Sequence, residues 1–178
     1  QIELYGKTCG IFGLGAIGFA FAKMAQGFGM RVISYSRHKK TDPKYDFIEQ
    51  VDFDTLLAES DVISIHAPLT PSTEDTFDAD AFAKMKDGTI LINTARGGLI
   101  VEEALVDALQ SGKVYGAGLD VIRDEPPKGD NPLLHQDNAA ITAHIAWLTR
   151  ASRLRAIDIA IDNFKAYLRG EPVSVINK

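Results

Sequence analysis

Three side chains in the second half of the chain carry groups that could bind an acid and move a proton. Arg96 lies in a glycine-rich turn, Glu125 in a proline-rich loop, and His144 directly after a short apolar run. A guanidinium can hold a carboxylate through two parallel hydrogen bonds, and an imidazole can exchange a proton near neutral pH. Taken singly, each has a plainer explanation as a surface charge, a loop acid or a helix-capping residue. Their significance depends on the elements that position them.

The first of these elements is a strand, a glycine turn and a helix near the N-terminus. Cys9 to Phe12 is a short apolar run that predicts a buried strand, and a largely apolar helical stretch begins at Phe19. Between them lies the pattern Gly-x-Gly-x-x-Gly, from Gly13 to Gly18. This order is the context that a dinucleotide-binding fingerprint requires. The alternative is a tight turn without a ligand, but the flanks on both sides favour dinucleotide binding.

Each glycine of the pattern has a distinct expected role. Gly13 allows the tight turn, Gly15 lets the backbone approach a pyrophosphate, and Gly18 lets the helix pack closely on the strand. The pyrophosphate is expected against the free N–H groups at the helix start, near Ala16 and Ile17.

The end of the second predicted strand indicates which dinucleotide is bound. NAD-binding units usually carry an acid there, which accepts hydrogen bonds from the adenosine ribose. This chain instead has Ser36 and Arg37, followed by His38, Lys39 and Lys40. A 2′-phosphate suits Ser36 as a donor and Arg37 as a planar clamp, with Lys39 or Lys40 as looser charges. A solvated basic loop is the alternative, but the basic run stands where the acid of an NAD-binding unit would be, which favours NADP over NAD.

Strands and helices alternate along the chain, and the strands are almost continuously apolar. This pattern predicts an α/β fold of the Rossmann type, a doubly wound parallel sheet in three layers, with a long C-terminal helix. The predicted strands are 9–12, 31–35, 61–66, 89–93, 114–120 and 139–142, and the later predicted helices are 54–60, 78–86, 101–111 and 147–169. Ser36, His66, Arg96 and Asp120 fall at or just after strand ends, where such sheets bind ligands.

Composition limits the class of protein. The 178 residues suffice for one domain, with 46% hydrophobic and 24% charged residues. A net charge of −5 argues against general binding of nucleic acid or anionic membranes. Cys9 is the single cysteine, so an internal disulfide is excluded and a reducing compartment, the cytoplasm, is expected. The sequence contains no metal-binding motif and no apolar run of about 18 residues.

Five motifs together resemble the D-2-hydroxyacid dehydrogenase family, in family order and at family-like spacing. They are Gly13-Leu14-Gly15-Ala16-Ile17-Gly18, His66-Ala67-Pro68-Leu69-Thr70, Asn93-Thr94-Ala95-Arg96-Gly97-Gly98, Gly118-Leu119-Asp120-Val121 through Asp124-Glu125-Pro126, and His144-Ile145-Ala146-Trp147. Within the family, the Ser-Arg pair after the second strand and the His-Ile-Ala-Trp turn look most like glyoxylate/hydroxypyruvate reductases. The resemblance therefore implies hydride transfer between a nicotinamide and a small 2-oxo or 2-hydroxy acid.

The resemblance also implies roles for individual residues. Arg96 would bind the substrate carboxylate and polarise the 2-oxo group, and His144 would donate a proton to the carbonyl oxygen. Glu125 would orient His144 and raise its pKa. Asp120 would lie beside the nicotinamide, and His66 would line the cofactor or serve structure rather than catalysis. Ala67 and the loop 68–73 would contact the adenosine side of the cofactor. The full set of expected cofactor contacts is Gly13, Gly15, Ala16, Ile17, Gly18, Ser36, Arg37, His66, Ala67, Pro68, Thr73, Thr94, Ala95, Arg96, Asp120, His144 and Ala146.

Two departures from the family pattern accompany this resemblance. Ala143 stands where the family often has a proline before the catalytic histidine. The family's substrate domain, which precedes the fingerprint strand, has no counterpart in residues 1–178. We therefore expect one nucleotide-binding domain that binds cofactor but has little or no turnover alone. Family members are commonly homodimers, with the 101–111 region and the proline-rich loop as expected contacts.

Three other activities stay open at the level of sequence. C-terminal-binding co-repressors share this fold and a similar triad, and use NAD(H) to assemble with partners. Formate-type or phosphite-type oxidation is a second alternative, although formate-type sites typically carry Gln where this chain has Ala143. Phosphoglycerate-type NAD dehydrogenases are a third, but the acid at the end of their second strand is missing here. An inactive truncated relative is a further alternative.

Overall fold

The computed structural model describes residues 2–176, which divide after Ala143 into an N-terminal and a C-terminal unit. The N-terminal unit is built on a seven-stranded parallel sheet. Its strands are β1 (Thr8–Phe12), β2 (Arg31–Tyr35), β3 (Glu49–Gln50), β4 (Val62–Ile65), β5 (Thr89–Asn93), β6 (Val114–Leu119) and β7 (Ala139–Ile141). Their spatial order is β3-β2-β1-β4-β5-β6-β7. The order reverses direction at β1, as in doubly wound nucleotide-binding sheets.

Four helices connect the strands of the N-terminal unit, and a fifth occupies the C-terminal unit. They are α1 (Ala16–Gly27), α2 (Phe53–Glu59), α3 (Ala79–Lys84), α4 (Glu102–Gln110) and α5 (Arg150–Leu168). Short 3₁₀ turns cover Pro43–Tyr45, Gly97–Leu99 and Pro132–His135. The predicted alternation of strands and helices is confirmed, with boundaries that shift by a few residues.

Alternating side chains of the central strands build a hydrophobic core on each face of the sheet. Cys9 and Ile11 of β1 pack on the face covered by α1, together with Ala22 of that helix. Phe12 points to the opposite face, where α2, α3 and α4 contribute residues such as Leu56. Because successive strand residues point to opposite faces, one strand serves both cores. The predicted three-layer, doubly wound arrangement is therefore confirmed.

The helix starts are stabilised in different ways. Asp52 accepts a hydrogen bond from Thr55 N at 2.7 Å at the start of α2, and Asp78 accepts one from Ala81 N at 2.9 Å at the start of α3. Helix α4 has no side-chain cap but carries two glutamates in its first turn. Among the helices of residues 2–176, α1 alone has neither a capping side chain nor an acid in its first turn. Its positive end is not compensated by its own sequence.

One strand was not predicted. Glu49 and Gln50 form the two-residue edge strand β3, which pairs in parallel with Ile33 and Ser34 of β2. Two polar residues carry no periodic signal, so the local sequence could not identify this strand.

The C-terminal unit contains the long helix that the sequence predicts. It begins at Arg150, three residues later than expected, with Thr149 as its capping residue. The apolar residues at helical spacing, Ile157, Ile161, Phe164 and Leu168, are 46–67% exposed. Within the described part of the chain, no helix is long and apolar enough to cross a membrane.

Candidate active site

The glycine turn between β1 and α1 has the geometry that its sequence predicts. Gly13 has a φ of +99°, and a Cβ atom there would lie 2.6 Å from the backbone nitrogen of Ala67. Its N–H donates to the Tyr35 carbonyl at 2.9 Å, and the His66 N–H donates to the Phe12 carbonyl at 2.7 Å. The turn is thereby held against the ends of both neighbouring strands, and only glycine fits at position 13.

The other two glycines of the pattern differ in their surroundings. A Cβ atom at Gly18 would overlap the carbonyl oxygen of Gly13, so the helix lies directly on the turn. A Cβ atom at Gly15 would meet no heavy atom within 4 Å. Since Ala16 and Ile17 begin the uncapped helix, their N–H groups lack partners within the helix. Open space beside such donors fits a pyrophosphate.

A cavity of about 570 Å³ lies next to this turn. It is formed by the ends of β1, β2 and β4 and the loops that follow them. Eight of the predicted cofactor residues line it: Gly13, Gly15, Ser36, Arg37, His66, Ala67, Pro68 and Thr73. Its size is typical of a pocket for a small molecule or a portion of a cofactor.

The basic loop after β2 forms one wall of this cavity. Ser36 Oγ accepts a hydrogen bond from Leu14 N at 2.8 Å, which leaves the serine O–H available to donate. Arg37, His38 and Lys40 line the cavity, whereas Lys39 is not among its lining residues. The structure therefore distinguishes between the two lysines that the sequence offered.

The unpredicted strand β3 holds this loop in place. Gln50 Oε1 accepts from the backbone N–H of Lys40 at 2.6 Å, and Gln50 Nε2 donates to the Lys40 carbonyl at 2.8 Å. One side chain thus satisfies both backbone groups of a cavity residue.

His66 lies at the end of β4, partly buried against the cavity. Its Nε2 is 2.9 Å from Ser64 Oγ, and its ring lies 5.3 Å from that of Phe21, centroid to centroid. Burial lowers the pKa of His66 below its usual value of 6.5. A neutral imidazole engaged by a serine agrees with the predicted structural or cofactor-lining role.

The turn that carries Arg96 follows β5 and is organised by Asn93. The Asn93 side chain is fully buried; its Oδ1 accepts from Ala95 N and its Nδ2 donates to the Arg96 carbonyl, both at 2.9 Å. Arg96 itself is exposed, and its Nη1 donates to the Ala95 carbonyl at 2.6 Å. A buried amide thus fixes the backbone beneath an exposed guanidinium. Thr94, Ala95 and Arg96 are not among the lining residues of the 570 Å³ cavity.

Asp120 and Glu125 follow β6. Asp120 is 5% exposed, accepts a hydrogen bond from Thr142 Oγ1, and donates its own N–H to the Asn93 carbonyl at 2.9 Å. Glu125 Oε1 accepts from Ile122 N at 3.3 Å. The ends of β5, β6 and β7 are therefore tied together at the edge where Arg96 lies.

His144 and Ala146 begin the C-terminal unit. His144 has a φ of +54°, a conformation that non-glycine residues adopt infrequently and that is enriched at functional sites. The predicted pairing of this histidine with Glu125 stays a prediction.

Four predicted site residues follow the carboxyl ends of parallel strands of one sheet, as expected: Ser36, His66, Arg96 and Asp120.

Comparison with known proteins agrees with this geometry. A family model described as "D-isomer specific 2-hydroxyacid dehydrogenase, NAD binding domain" matches residues 1–146. The chain belongs to the D-isomer specific 2-hydroxyacid dehydrogenase family. The resemblance carried by the five motifs is confirmed.

Individual members of the family are similar over nearly the whole chain. A hydroxypyruvate reductase of Blautia hydrogenotrophica is 51% identical over 177 residues, covering 99% of this chain and 55% of that protein. A glyoxylate reductase structure from Paecilomyes thermophila is 40% identical, with a TM-score of 0.87, covering 93% of this chain and 50% of the other. An acyclic imino acid reductase solved with NADPH and D-Arg is 36% identical, with a TM-score of 0.90, covering 99% of this chain and 55% of the other. The chain thus spans about half the length of the curated relatives it matches.

Sequence reasoning missed part of the wall of this dehydrogenase domain's cavity. Phe12, Leu14, Tyr35, Phe53 and Thr76 line it in addition to the predicted residues, and Thr70 and Ser72 line it as members of the predicted loop 68–73. Phe12 and Tyr35 end strands and Phe53 begins α2, so their local pattern predicts core packing and only the fold shows that they border the cavity.

Proposed function

We propose that this chain binds a nicotinamide dinucleotide and supplies the cofactor side of a D-2-hydroxyacid dehydrogenase active site. The observation that carries the proposal is the uncapped start of α1 beside the open space at Gly15, next to the 570 Å³ cavity. Gly15, Ala16 and Ile17 would hold the pyrophosphate through backbone N–H groups. The cofactor supplies or accepts the hydride.

The reaction proposed is reduction of a small 2-oxo acid, or oxidation of the corresponding 2-hydroxy acid, with glyoxylate or hydroxypyruvate as candidate substrates. Arg96 would bind the carboxylate, because its exposed, permanently charged fork matches two carboxylate oxygens. His144 would give a proton to the carbonyl oxygen, and Glu125 would orient the imidazole. Relatives named as hydroxypyruvate and glyoxylate reductases support this choice over a co-repressor.

NADP is the proposed preferred cofactor, with NAD as the alternative. Ser36 and Arg37 stand at the cavity wall where an NAD-binding unit carries an acid. The imino acid reductase neighbour was solved with NADPH, which supports the same choice. The family model is described by NAD binding, which is why NAD is the alternative.

The test is calorimetric titration of the chain with NADPH and NADH at several salt concentrations. NADPH should bind more tightly and weaken more steeply with salt, since its additional phosphate meets exposed cations. Arg37→Ala should lower NADPH affinity about 10- to 100-fold, the equivalent of losing one or two charged hydrogen bonds. Lys39→Ala removes the same charge two residues further along the chain. Because the Lys39 side chain does not line the cavity, this variant should change NADPH affinity about twofold at most.

Two outcomes would contradict the proposal. Equal or tighter binding of NADH would overturn the NADP preference and favour the NAD-dependent dehydrogenase or co-repressor alternatives. Binding of neither cofactor would overturn the cofactor role itself.

We also propose that the protein acts in the cytoplasm as a homodimer, without nucleic-acid or membrane partners. Helix α4 and the proline-rich loop that follows β6 are the proposed contacts. The single cysteine, which is buried, supports a reducing compartment. Light scattering across a concentration series would detect the dimer, and a persistent monomer would exclude it.

A further inference from the structure

The Arg37 guanidinium is held by a side chain from a different loop. Arg37 follows β2, whereas Ser72 lies in the loop after β4, 35 positions further along the chain. Arg37 Nη2 donates a hydrogen bond to Ser72 Oγ. Both side chains line the 570 Å³ cavity, so this contact joins two of the loops that form its wall.

Ser72 is itself fixed before it meets the arginine. The sequence Thr70-Pro71-Ser72-Thr73 forms a turn closed by a hydrogen bond from Thr73 N to the Thr70 carbonyl at 2.9 Å. Proline in the second position sets the backbone for such a turn. The side chains add a network: Thr70 Oγ1 is 3.1 Å from Ser72 Oγ and 3.0 Å from Thr73 Oγ1. Thr73 Oγ1 also donates to the Pro68 carbonyl at 2.7 Å.

The charge of Arg37 is not neutralised by this contact. Two other arginines of the domain pair with acids: Arg31 with Glu49 and Glu59, and Arg123 with Glu74 and Asp75. Within residues 2–176, no carboxylate lies within ion-pair distance of Arg37. Ser72 is a neutral acceptor, so Arg37 is positioned while its full charge and its remaining N–H donors stay available.

We propose that Ser72 is a positioning residue that determines specificity for the phosphorylated dinucleotide by holding Arg37 across the cavity. The inference rests on the proposed preference for NADP and extends it to a third loop of the sheet edge. An unrestrained arginine loses much side-chain freedom when it clamps a phosphate. A guanidinium already fixed by Ser72 loses less, so the 2′-phosphate binds more tightly. NADH has no 2′-phosphate and gains nothing from this arrangement.

The experiment is a double-mutant cycle on the chain, with NADPH and NADH as calorimetric ligands. Ser72→Ala should weaken NADPH binding about five- to tenfold, the loss of one hydrogen bond to a charged group, and leave NADH binding unchanged. Ser72→Thr keeps the hydroxyl and should restore most of the NADPH affinity. In the Arg37→Ala background, Ser72→Ala should have no further effect, because the residue it positions is gone.

Controls separate positioning from a change in the fold. Ser111→Ala removes a hydroxyl that donates to the Ala108 carbonyl at the end of α4. This variant should change neither the NADPH affinity nor the NADH affinity. Because Ser72 is exposed, its variants should unfold at the wild-type temperature.

Several results would overturn the inference. Equal losses of NADPH and NADH affinity would show a general effect on the cavity. Additive losses in the double variant would show that Ser72 contacts the phosphate independently of Arg37. Tighter NADPH binding by Ser72→Ala would show that Ser72 holds Arg37 away from the 2′-phosphate. A wild-type chain without a preference for NADPH would instead overturn the proposed NADP preference, and this inference with it.

Discussion

At the scale of single residues, Gly13 and Gly15 serve the same turn for different reasons. Gly13 combines a φ of +99° with close contact to the backbone of Ala67, whereas Gly15 has an extended backbone and open space around it. The first glycine is therefore required by the fold. The second is required only by a ligand that approaches the backbone.

The matched pair Gly13→Ala and Gly15→Ala separates these requirements. Gly13→Ala should lower the free energy of unfolding by about 1–3 kcal/mol, because the new side chain strains the backbone. Gly15→Ala should cost less than about 1 kcal/mol as an N-cap change, yet reduce cofactor affinity at least about tenfold because its methyl group occupies the approach to the pyrophosphate. Urea unfolding and calorimetry measure the two effects. Unchanged affinity in Gly15→Ala would contradict the proposed pyrophosphate position.

His66 makes a prediction about pH. Because burial lowers its pKa in the folded chain below 6.5, the unfolded chain binds more protons as the solution is acidified. The contribution of His66 to the free energy of unfolding is therefore fully present above pH 6.5 and is lost as the pH falls through the folded-state pKa. The drop in unfolding free energy between pH 7.5 and pH 5.5 should be smaller in His66→Gln than in the wild type. An identical drop in both proteins would show that His66 does not contribute.

At the scale of elements, the strand ends are joined by a few buried polar side chains. Asn93 satisfies two backbone groups of the turn after β5, and its own carbonyl accepts from Asp120 at the end of β6. An amide with these bonds fixes a turn that glycines alone would leave loose. The position of Arg96 depends on it.

Asn93→Ala should lower the free energy of unfolding by about 1–3 kcal/mol, because it removes the two hydrogen bonds that hold the backbone of Ala95 and Arg96. Thr94→Ala, at the exposed neighbouring position, is the control and should change stability by less than about 0.5 kcal/mol. Chemical denaturation of both variants makes the comparison. Equal stability of the two variants would refute the role assigned to Asn93.

The sequence predicted the elements that have periodic or punctuated patterns, and missed those that depend on tertiary pairing. Strands β1, β2 and β4 are apolar runs bounded by turns, so their existence and buried placement follow from local pattern. Strand β3 consists of Glu49 and Gln50 and exists because β2 offers it an edge. The contact between Ser72 and Arg37 could not be predicted either, since the two residues lie 35 positions apart. The glycine turn was predictable because backbone sterics admit few residue types there.

At the scale of the whole molecule, the interior strand β1 reports on global unfolding. Cys9 is fully buried in β1, and burial raises the pKa of its thiol to about 12. A protonated, inaccessible thiol does not react, since the thiolate is the nucleophile. Cys9 should therefore react with a disulfide reagent at pH 8 only as fast as the domain unfolds. Ser174→Cys, at an exposed position, supplies the fast-reacting comparison. Rapid labelling of Cys9 in the native chain would contradict the core described for β1.

The whole N-terminal unit combines a rigid double-wound sheet with a sheet edge that collects polar groups from successive strands. Half of that edge, at β1, β2 and β4, holds the 570 Å³ cavity, and the other half, at β5 and β6, holds Arg96 and Asp120. A dinucleotide that extends across the switch point at β1 would reach from one half to the other. The position of a bound cofactor on this edge therefore tests the proposed function.

A crystal structure of the chain with NADPH tests this most directly. We predict that the pyrophosphate oxygens lie within hydrogen-bond distance of the N–H groups of Ala16 and Ile17, and that the 2′-phosphate contacts Arg37 while Arg37 keeps its bond to Ser72. A dinucleotide bound away from the start of α1, or a 2′-phosphate directed into solvent away from Arg37, would contradict the account.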